Sequence, residues 1–385
     1  MDDVLYLDTA RVGQMTPAVG RMLNGIVDLN HAIGSSLYFS DFLFGGYEAL
    51  PTRYQSEFVR PWQGIDALKK SFSEFAIGDP ESDVVFASRS ANLISLATKM
   101  MSLRCRKVMV TDLNWPFYDQ ILAAGLDSND SKIQRVFIED LIYSEKCSAD
   151  DLADYLIEQF NVRDCDGLLL PAISNRGVKL PIATILQRLA PRIRFSVIDA
   201  AQAFNHVDFS EAFRQADVVV GGSQKWLGAY EPLSIGIFPK KGSQSFIHDT
   251  MQRESRSRVH FDPLLKFGLE EKQCCETVNL NPLFTAAASL KDATTAEREP
   301  SAAMGFLQAS SSIANWDVVS THSTLNSNVV MLKPNYSPTK NVSRSFLKNG
   351  IAITSYAQGD CRLSFRTGPT NAELVKIERA LIAAN

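Results

Sequence analysis

Two residues 26 positions apart frame the chemistry this chain could do. Asp199 ends the apolar run Ile193–Ile198 (IRFSVI), and Lys225 follows a second run, Ala216–Val220 (ADVVV), and two glycines. Gln202 stands three residues beyond the Asp. In an open α/β sheet, ligands bind beyond the carboxyl ends of the strands, so Asp199 and Lys225 belong to one crevice. A partly desolvated lysine amine has a lowered pKa and can form a Schiff base with a carbonyl compound. A carboxylate held against a pyridine nitrogen keeps it protonated and makes the ring an electron sink. Gln202 could hydrogen-bond a phenolic oxygen on such a ring. Taken singly, Asp199 reads equally well as a helix cap and Lys225 as a solvated loop residue; their joint spacing favours the chemistry.

The flanking sequence supplies elements that can position these residues. Lys107–Thr111 (KVMVT), Ile133–Ile138 (IQRVFI), Gly167–Leu170 (GLLL) and Ser234–Phe238 (SIGIF) read as further strands. Ala91–Leu103, Ser148–Phe160 and Ile182–Leu189 carry helical spacing, the second opened by a capping Ser. Alternating strands and helices imply a mostly parallel sheet covered on both faces. The mixture returns on a smaller scale after a connecting helix from Asn281. Asn326–Leu332, Ile351–Ser355 and Cys361–Phe365 read as strands, and Ser343–Asn349 and Asn371–Ala384 as helices. The expected organisation is α/β. A large cofactor-binding domain spans 20–280, and a smaller α+β domain spans 281–385 together with 1–19.

Composition narrows the function classes. The 385 residues are 45% hydrophobic, enough for a large core and for two domains. Thirty-nine basic against 43 acidic residues give a net charge of −4, without the basic excess of a nucleic-acid binder. No apolar run of membrane-spanning length occurs. The acidic start, Met1-Asp2-Asp3-Val4, does not read as a signal peptide, so a cytoplasmic protein is expected. Six scattered cysteines (105, 147, 165, 274, 275 and 361) contain no C-x-x-C pair and read as reduced core residues. The five histidines do not pair at metal-ligand spacing, so no metal site is expected.

The segments DAAQAFNHV (199–207) and ADVVVGGSQKWL (216–227) resemble the class V aminotransferase family of pyridoxal-phosphate enzymes, and the similarity runs from Tyr6-Leu7-Asp8-Thr9-Ala10 to the last helix. That family includes cysteine desulfurases, kynureninases, isopenicillin N epimerases and serine–glyoxylate-type aminotransferases. The resemblance implies the fold-type I architecture, with a seven-stranded, mostly parallel sheet in the large domain. It makes Lys225 the residue that carries pyridoxal 5′-phosphate, Asp199 the partner of the ring nitrogen and Gln202 that of the phenolic oxygen. The turn Ser88-Arg89-Ser90, before a helix, corresponds to the family's phosphate cradle, with Arg89 and Ser90 in its threonine positions. Trp115, before Pro116, takes the place of the aromatic that stacks on the ring. Thr277 lies where the family reaches the phosphate of the other subunit, which implies a homodimer with shared sites. Arg362 matches the arginine that grips the substrate carboxylate, with Arg366 as the competing choice. Asn175, in Ser174-Asn175-Arg176-Gly177, is a candidate substrate contact. Arg11 stands where the family has small residues and could read an acidic substrate tail.

Three departures bear on the reaction. Ser320–Val330 has no cysteine where desulfurases carry theirs, so desulfuration is not expected. The family's Ser-x-His-Lys becomes Gly222-Ser223-Gln224-Lys225, which shifts the phosphate-binding role to Ser223 and removes the His. Ala229-Tyr230-Glu231-Pro232 replaces a glycine-rich turn and is expected near the site. The reading is an enzyme of secondary metabolism acting on an amino acid through a Cα carbanion, as an aminotransferase or a β-eliminating lyase. An epimerase or decarboxylating enzyme is the alternative, and a non-catalytic cofactor-binding regulator the alternative of another class.

Overall fold

The structure, a computed structural model, describes residues 4–34, 41–126, 132–257, 262–265, 278–293, 315–335 and 341–384. Seven strands make the main sheet: β2 (Asp83–Ala87), β3 (Lys107–Thr111), β4 (Lys132–Val136), β5 (Gly167–Pro171), β6 (Phe195–Asp199), β7 (Val218–Gly222) and β8 (Ser234–Phe238). Their order is β2-β8-β7-β6-β5-β3-β4. Only β8 runs antiparallel, pairing with β2 on one side and β7 on the other. The central strands β5, β6, β7 and β8 are buried along their whole length. That burial explains their continuous apolar runs, since helices cover both faces of such a sheet. Edge strand β4 carries the more polar KIQRV and is half-buried.

The helices begin where their first-turn amides find acceptors. Ser148 caps Ala149–Val162 through a reciprocal pair with Asp151, and Thr370 caps Asn371–Ala383 with Glu373 in the same way. Thr16 caps Pro17–Ile33, whose first residue is a proline that needs no acceptor.

A smaller body is built from the two ends of the chain. β1 (Leu5–Tyr6) pairs in parallel with β11 (Ile351–Ala352), and Asp8 bridges to Ser364. An antiparallel sheet runs β12-β13-β10-β9, from β9 (Trp316–Val319), β10 (Val329–Pro334), β12 (Thr354–Ser355) and β13 (Cys361–Ser364). Leu7, Trp316, Phe346, Leu363 and Ile377 share its apolar cluster. The connecting helix Asn281–Asp292 contributes Leu283, Phe284 and Ala286 to the large cluster under the main sheet. Phe284 meets Trp62 edge-on at 4.7 Å, so the larger body's packing continues past residue 281.

Candidate active site

The carboxyl ends of the parallel strands and the first residue of antiparallel β8 meet at one edge of the main sheet. A cavity of about 470 Å3 opens there. It is within the range of small-molecule sites. Its wall includes Asp199, Gln202, Lys225, Arg89, Ser90, Trp115, Asn175, Arg362 and Arg11, so nine of the sequence-selected residues share one space.

Asp199 ends β6 with its carboxylate buried. Oδ1 accepts the Ala201 amide at 2.9 Å. Burial pushes its pKa up, against the pull of that amide and of Lys225. Such a carboxylate favours a cationic or proton-donating partner. Lys225 is half-buried on the same wall. Burial lowers its ammonium to about 8; the charge of Asp199 raises it and that of Arg362 lowers it further. Among the described residues the Lys225 amine has no hydrogen-bond or ion-pair partner.

Gln202 is fixed from three directions. Trp226 Nε1 donates to its Oε1 at 2.8 Å, and its Nε2 donates to the Ala10 carbonyl at 2.8 Å. An indole N–H can only donate, so the amide orientation is set and one Nε2 hydrogen remains for the cavity. His206 stacks on Trp226 at 3.6 Å between centroids, nearly parallel. Its Nδ1 lies 2.7 Å from the Gln202 carbonyl and its Nε2 accepts the Asn328 amide at 3.2 Å. Those partners require the neutral ring protonated on Nδ1. The stack therefore ties Gln202 to the smaller body.

The N-terminal segment closes another side. Ala10 N–H donates to Ser364 Oγ at 2.9 Å, and Gly13 N–H to the Gln224 carbonyl at 2.7 Å. A Cβ at Gly13 would lie 1.8 Å from the Lys225 carbonyl oxygen, so this approach needs glycine. Gly177 answers a similar demand behind Asn175: its φ is +91° and a side chain would strike the Val329 carbonyl.

Arg362 sits on β13 with its side chain only 6% exposed. Nη1 donates to the Asn175 carbonyl at 3.1 Å, Nη2 lies 3.8 Å from Asp8 Oδ1, and Nε is buried without an acceptor among the described residues. Asn175 thus meets Arg362 through its backbone. Arg366 separates from Arg362 because β13 stops at Ser364; its Nη1 donates to the Gln14 carbonyl at 3.3 Å, outside the cavity.

Arg89 is exposed at the cap of the Ser90–Arg104 helix, an N-terminus without a side-chain cap that favours an approaching anion. The turn is held from behind: Asp262 Oδ2 accepts from Ser88 N–H at 3.0 Å, from Ser88 Oγ and from Asn92 Nδ2. Trp115, 45% exposed, stands on the cavity wall and not in a core.

Ser223 and the Ala229–Pro232 loop lie off the cavity wall. Ser223 is fully buried outside the cavity lining, its hydroxyl without a partner among the described residues, because its backbone is pinned between Leu233 and Ala229. The Ala229–Pro232 loop turns away from the cavity: Thr285 Oγ1 donates to the Tyr230 carbonyl at 3.0 Å, and Asn279 Nδ2 binds Glu231. Thr277 lies outside the described residues.

Sequence reading missed Tyr118 and Ser234, which also line the cavity. Tyr118 Oη donates to Ser90 Oγ at 3.2 Å, and burial pushes its hydroxyl pKa up. It follows Trp115 by one helical turn, a usable signal. Ser234 is brought in by its register opposite Ala87 and Gly222, which no local pattern announces.

Cys361 is buried beside Arg362, and burial pushes its thiol pKa up. No group of three metal-ligand residues occurs among the described residues. No described helix is long and apolar enough to cross a membrane.

Neither a protein-family model nor a curated protein matches the chain. Solved structures do. The cysteine desulfurase CsdA from Escherichia coli aligns at 14% identity over 99% of this chain and 94% of its own, with a TM-score of 0.70. The ureidoglycine–glyoxylate aminotransferase of Bacillus subtilis aligns at 13% identity over 100% and 93%, with a TM-score of 0.68. The alanine–glyoxylate aminotransferase of Nostoc sp. aligns at 12% identity over 100% and 96%, with a TM-score of 0.67. The chain therefore has the fold these proteins share, the α/β fold-type I architecture expected from its sequence.

Proposed function

We propose that the chain is a pyridoxal-phosphate-dependent enzyme of class V type that acts at Cα of an amino acid, as an aminotransferase or a β-eliminating lyase. The observation that carries this reading is one cavity wall holding a half-buried Lys225 amine, lowered to about 8, and the buried Asp199 carboxylate. The residues present fit the cofactor. Asp199 has one amide donor and room for a ring N–H. The spare Gln202 N–H suits the ring oxygen. The helix amides at Ser90, with Arg89, suit the phosphate. Ser223 does not join them, and Ser234 is the better-placed hydroxyl.

Bound there, the cofactor would supply an electron sink for charge released at Cα. Asp199 would hold the proton on the ring nitrogen. Lys225 would supply the amine for the aldehyde and, once displaced by substrate, move the Cα proton. Its lowered pKa leaves a useful neutral fraction near neutrality. Arg362 would bind the substrate carboxylate, with Nε the donor still free. Trp115 would cover the ring and exclude water.

The test is borohydride reduction of the purified, yellow protein, with peptide mapping. A cofactor mass fixed on Lys225 is the expected outcome; a colourless protein that takes up no added cofactor overturns the proposal. Incubation with a panel of amino acids then separates the reactions. Keto-acid formation with the amine form of the cofactor marks transamination, and release of a β-substituent marks elimination. The same reading includes a cytoplasmic homodimer in which Thr277 serves the other subunit's phosphate. Mixing Lys225→Ala and Thr277→Ala chains should then give more activity than either variant alone. Activity no higher than that of the better single variant would count against the shared site.

A further inference from the structure

The charges on the cavity wall do not balance. Arg11, Arg89, Lys225 and Arg362 face Asp199, four potential cations against one carboxylate. On the reading above, Lys225 and Asp199 are engaged by the aldehyde and the ring nitrogen, Arg89 stands at the phosphate turn and Arg362 takes the α-carboxylate. Arg11 is left over. We infer that Arg11 recognises a second anionic group on the substrate, so that the enzyme takes amino acids whose side chain ends in a carboxylate or a similar oxyanion.

The position of Arg11 supports this. Its own amide donates to the Asp8 carbonyl at 3.0 Å. Its neighbours Ala10 and Gly13 are bonded to Ser364 and Gln224. The root of the side chain is therefore fixed, and only the long arm is free to reach an anion. The nearest carboxylate in sequence, Asp8, turns its Oδ1 to Thr354 Oγ1 and Arg362, and forms no ion pair with Arg11 among the described residues. Among the described residues the Arg11 side chain has neither a hydrogen bond nor an ion pair. A planar guanidinium matches a carboxylate through two parallel hydrogen bonds, and Arg362 on the same wall can hold the other end of a diacid.

The substrate class rests on the proposed function, but the experiment separates the two. First, binding of glutarate and butyrate to the protein as purified is measured by calorimetry for wild type and Arg11→Gln. Glutarate should bind wild type about 10- to 100-fold more tightly than the variant, the effect of one charge-assisted contact, with butyrate shifting far less. Equal loss for both acids, or none for glutarate, overturns the role of Arg11 whether or not the protein is catalytic. Second, kcat/KM is compared for aspartate and asparagine, and for glutamate and glutamine. Wild type should favour the acids, and Arg11→Gln should cut that ratio by about tenfold or more, through KM. A wild type that prefers the amides overturns the substrate class while leaving Lys225 chemistry intact. Failure of borohydride to mark Lys225 overturns the catalytic reading, with the glutarate result still deciding Arg11.

Discussion

The floor of the cavity and its mouth are built on opposite terms. At the floor, Asp199, Gln202, His206 and Trp226 are buried; Gln202, His206 and Trp226 are bonded and stacked on one another, and Asp199 accepts the Ala201 amide. At the mouth, Arg11, Arg89 and Trp115 are exposed. None of the three makes a side-chain hydrogen bond among the described residues. A buried polar group must be satisfied and so has one allowed arrangement, whereas an exposed arginine loses little by waiting for a ligand. On the proposed function, the floor would serve the chemistry and the mouth the choice of ligand.

Mutations can break that division, and the largest effect belongs to the floor. Lys225→Ala should lower turnover by about 10^4-fold or more, since it removes both the attachment point and the proton carrier. Steady-state rates on the best substrate check this, and near-normal turnover would remove Lys225 from the chemistry. Asp199→Asn should cost about 10^2- to 10^3-fold in kcat, as for loss of one preorganised electrostatic group. A variant with normal kcat would mean the ring nitrogen lies elsewhere.

Next comes a stability effect with a defined pH course. Lys225 falls from 10.5 to about 8 on burial in the cofactor-free protein. Between those values the unfolded chain binds more protons than the folded one, so stability rises with pH across the window. Cofactor-free Lys225→Met should therefore be more stable than wild type at pH 7, by at most about 3 kcal/mol, with the gap closing toward pH 10.5. Chemical denaturation at pH 7 and 10 checks it; a gap that widens with pH would contradict the burial of the amine.

Trp226→Phe leaves the Gln202 oxygen without its donor and should cost about 1–3 kcal/mol. It should also shift the pH at which the cofactor's absorbance changes. A spectrum that titrates as in wild type would show that Gln202 does not face the ring. The smallest effect on the fold belongs to the mouth: in the cofactor-free protein, Arg11→Ala and Arg89→Ala should each change stability by no more than about 0.5 kcal/mol. A larger loss in thermal melts would make these arginines structural and dissolve the contrast.

What sequence could reveal follows the same divide. β6 and β7 are buried on both faces and announce themselves as apolar runs, and Asp199 is marked as the polar residue where one such run stops. Ser148 and Thr370 announced their helices through local capping. Arg362 and Arg366 could not be separated by alternation, because that rule holds only while β13 continues, and it ends between them. The burial of Ser223 off the cavity wall depends on backbone bonds to Leu233 and Ala229, not on its neighbours in sequence. The Ala229–Pro232 loop is expected near the site, but Thr285, 55 residues from Tyr230, holds it elsewhere. Long-range register and anchoring carry no local signature, and the errors fall there.

Residues 7–13 are stitched to both bodies: Leu7 and Ala10 to the strand that carries Arg362, Gly13 to the loop that carries Lys225. Any swing of the smaller body must drag this strap along. A diacid clamped between Arg11 and Arg362 would draw it taut. Trypsin cleavage after Arg11 should slow as the cavity fills, which makes this short stretch of chain a built-in gauge of occupancy.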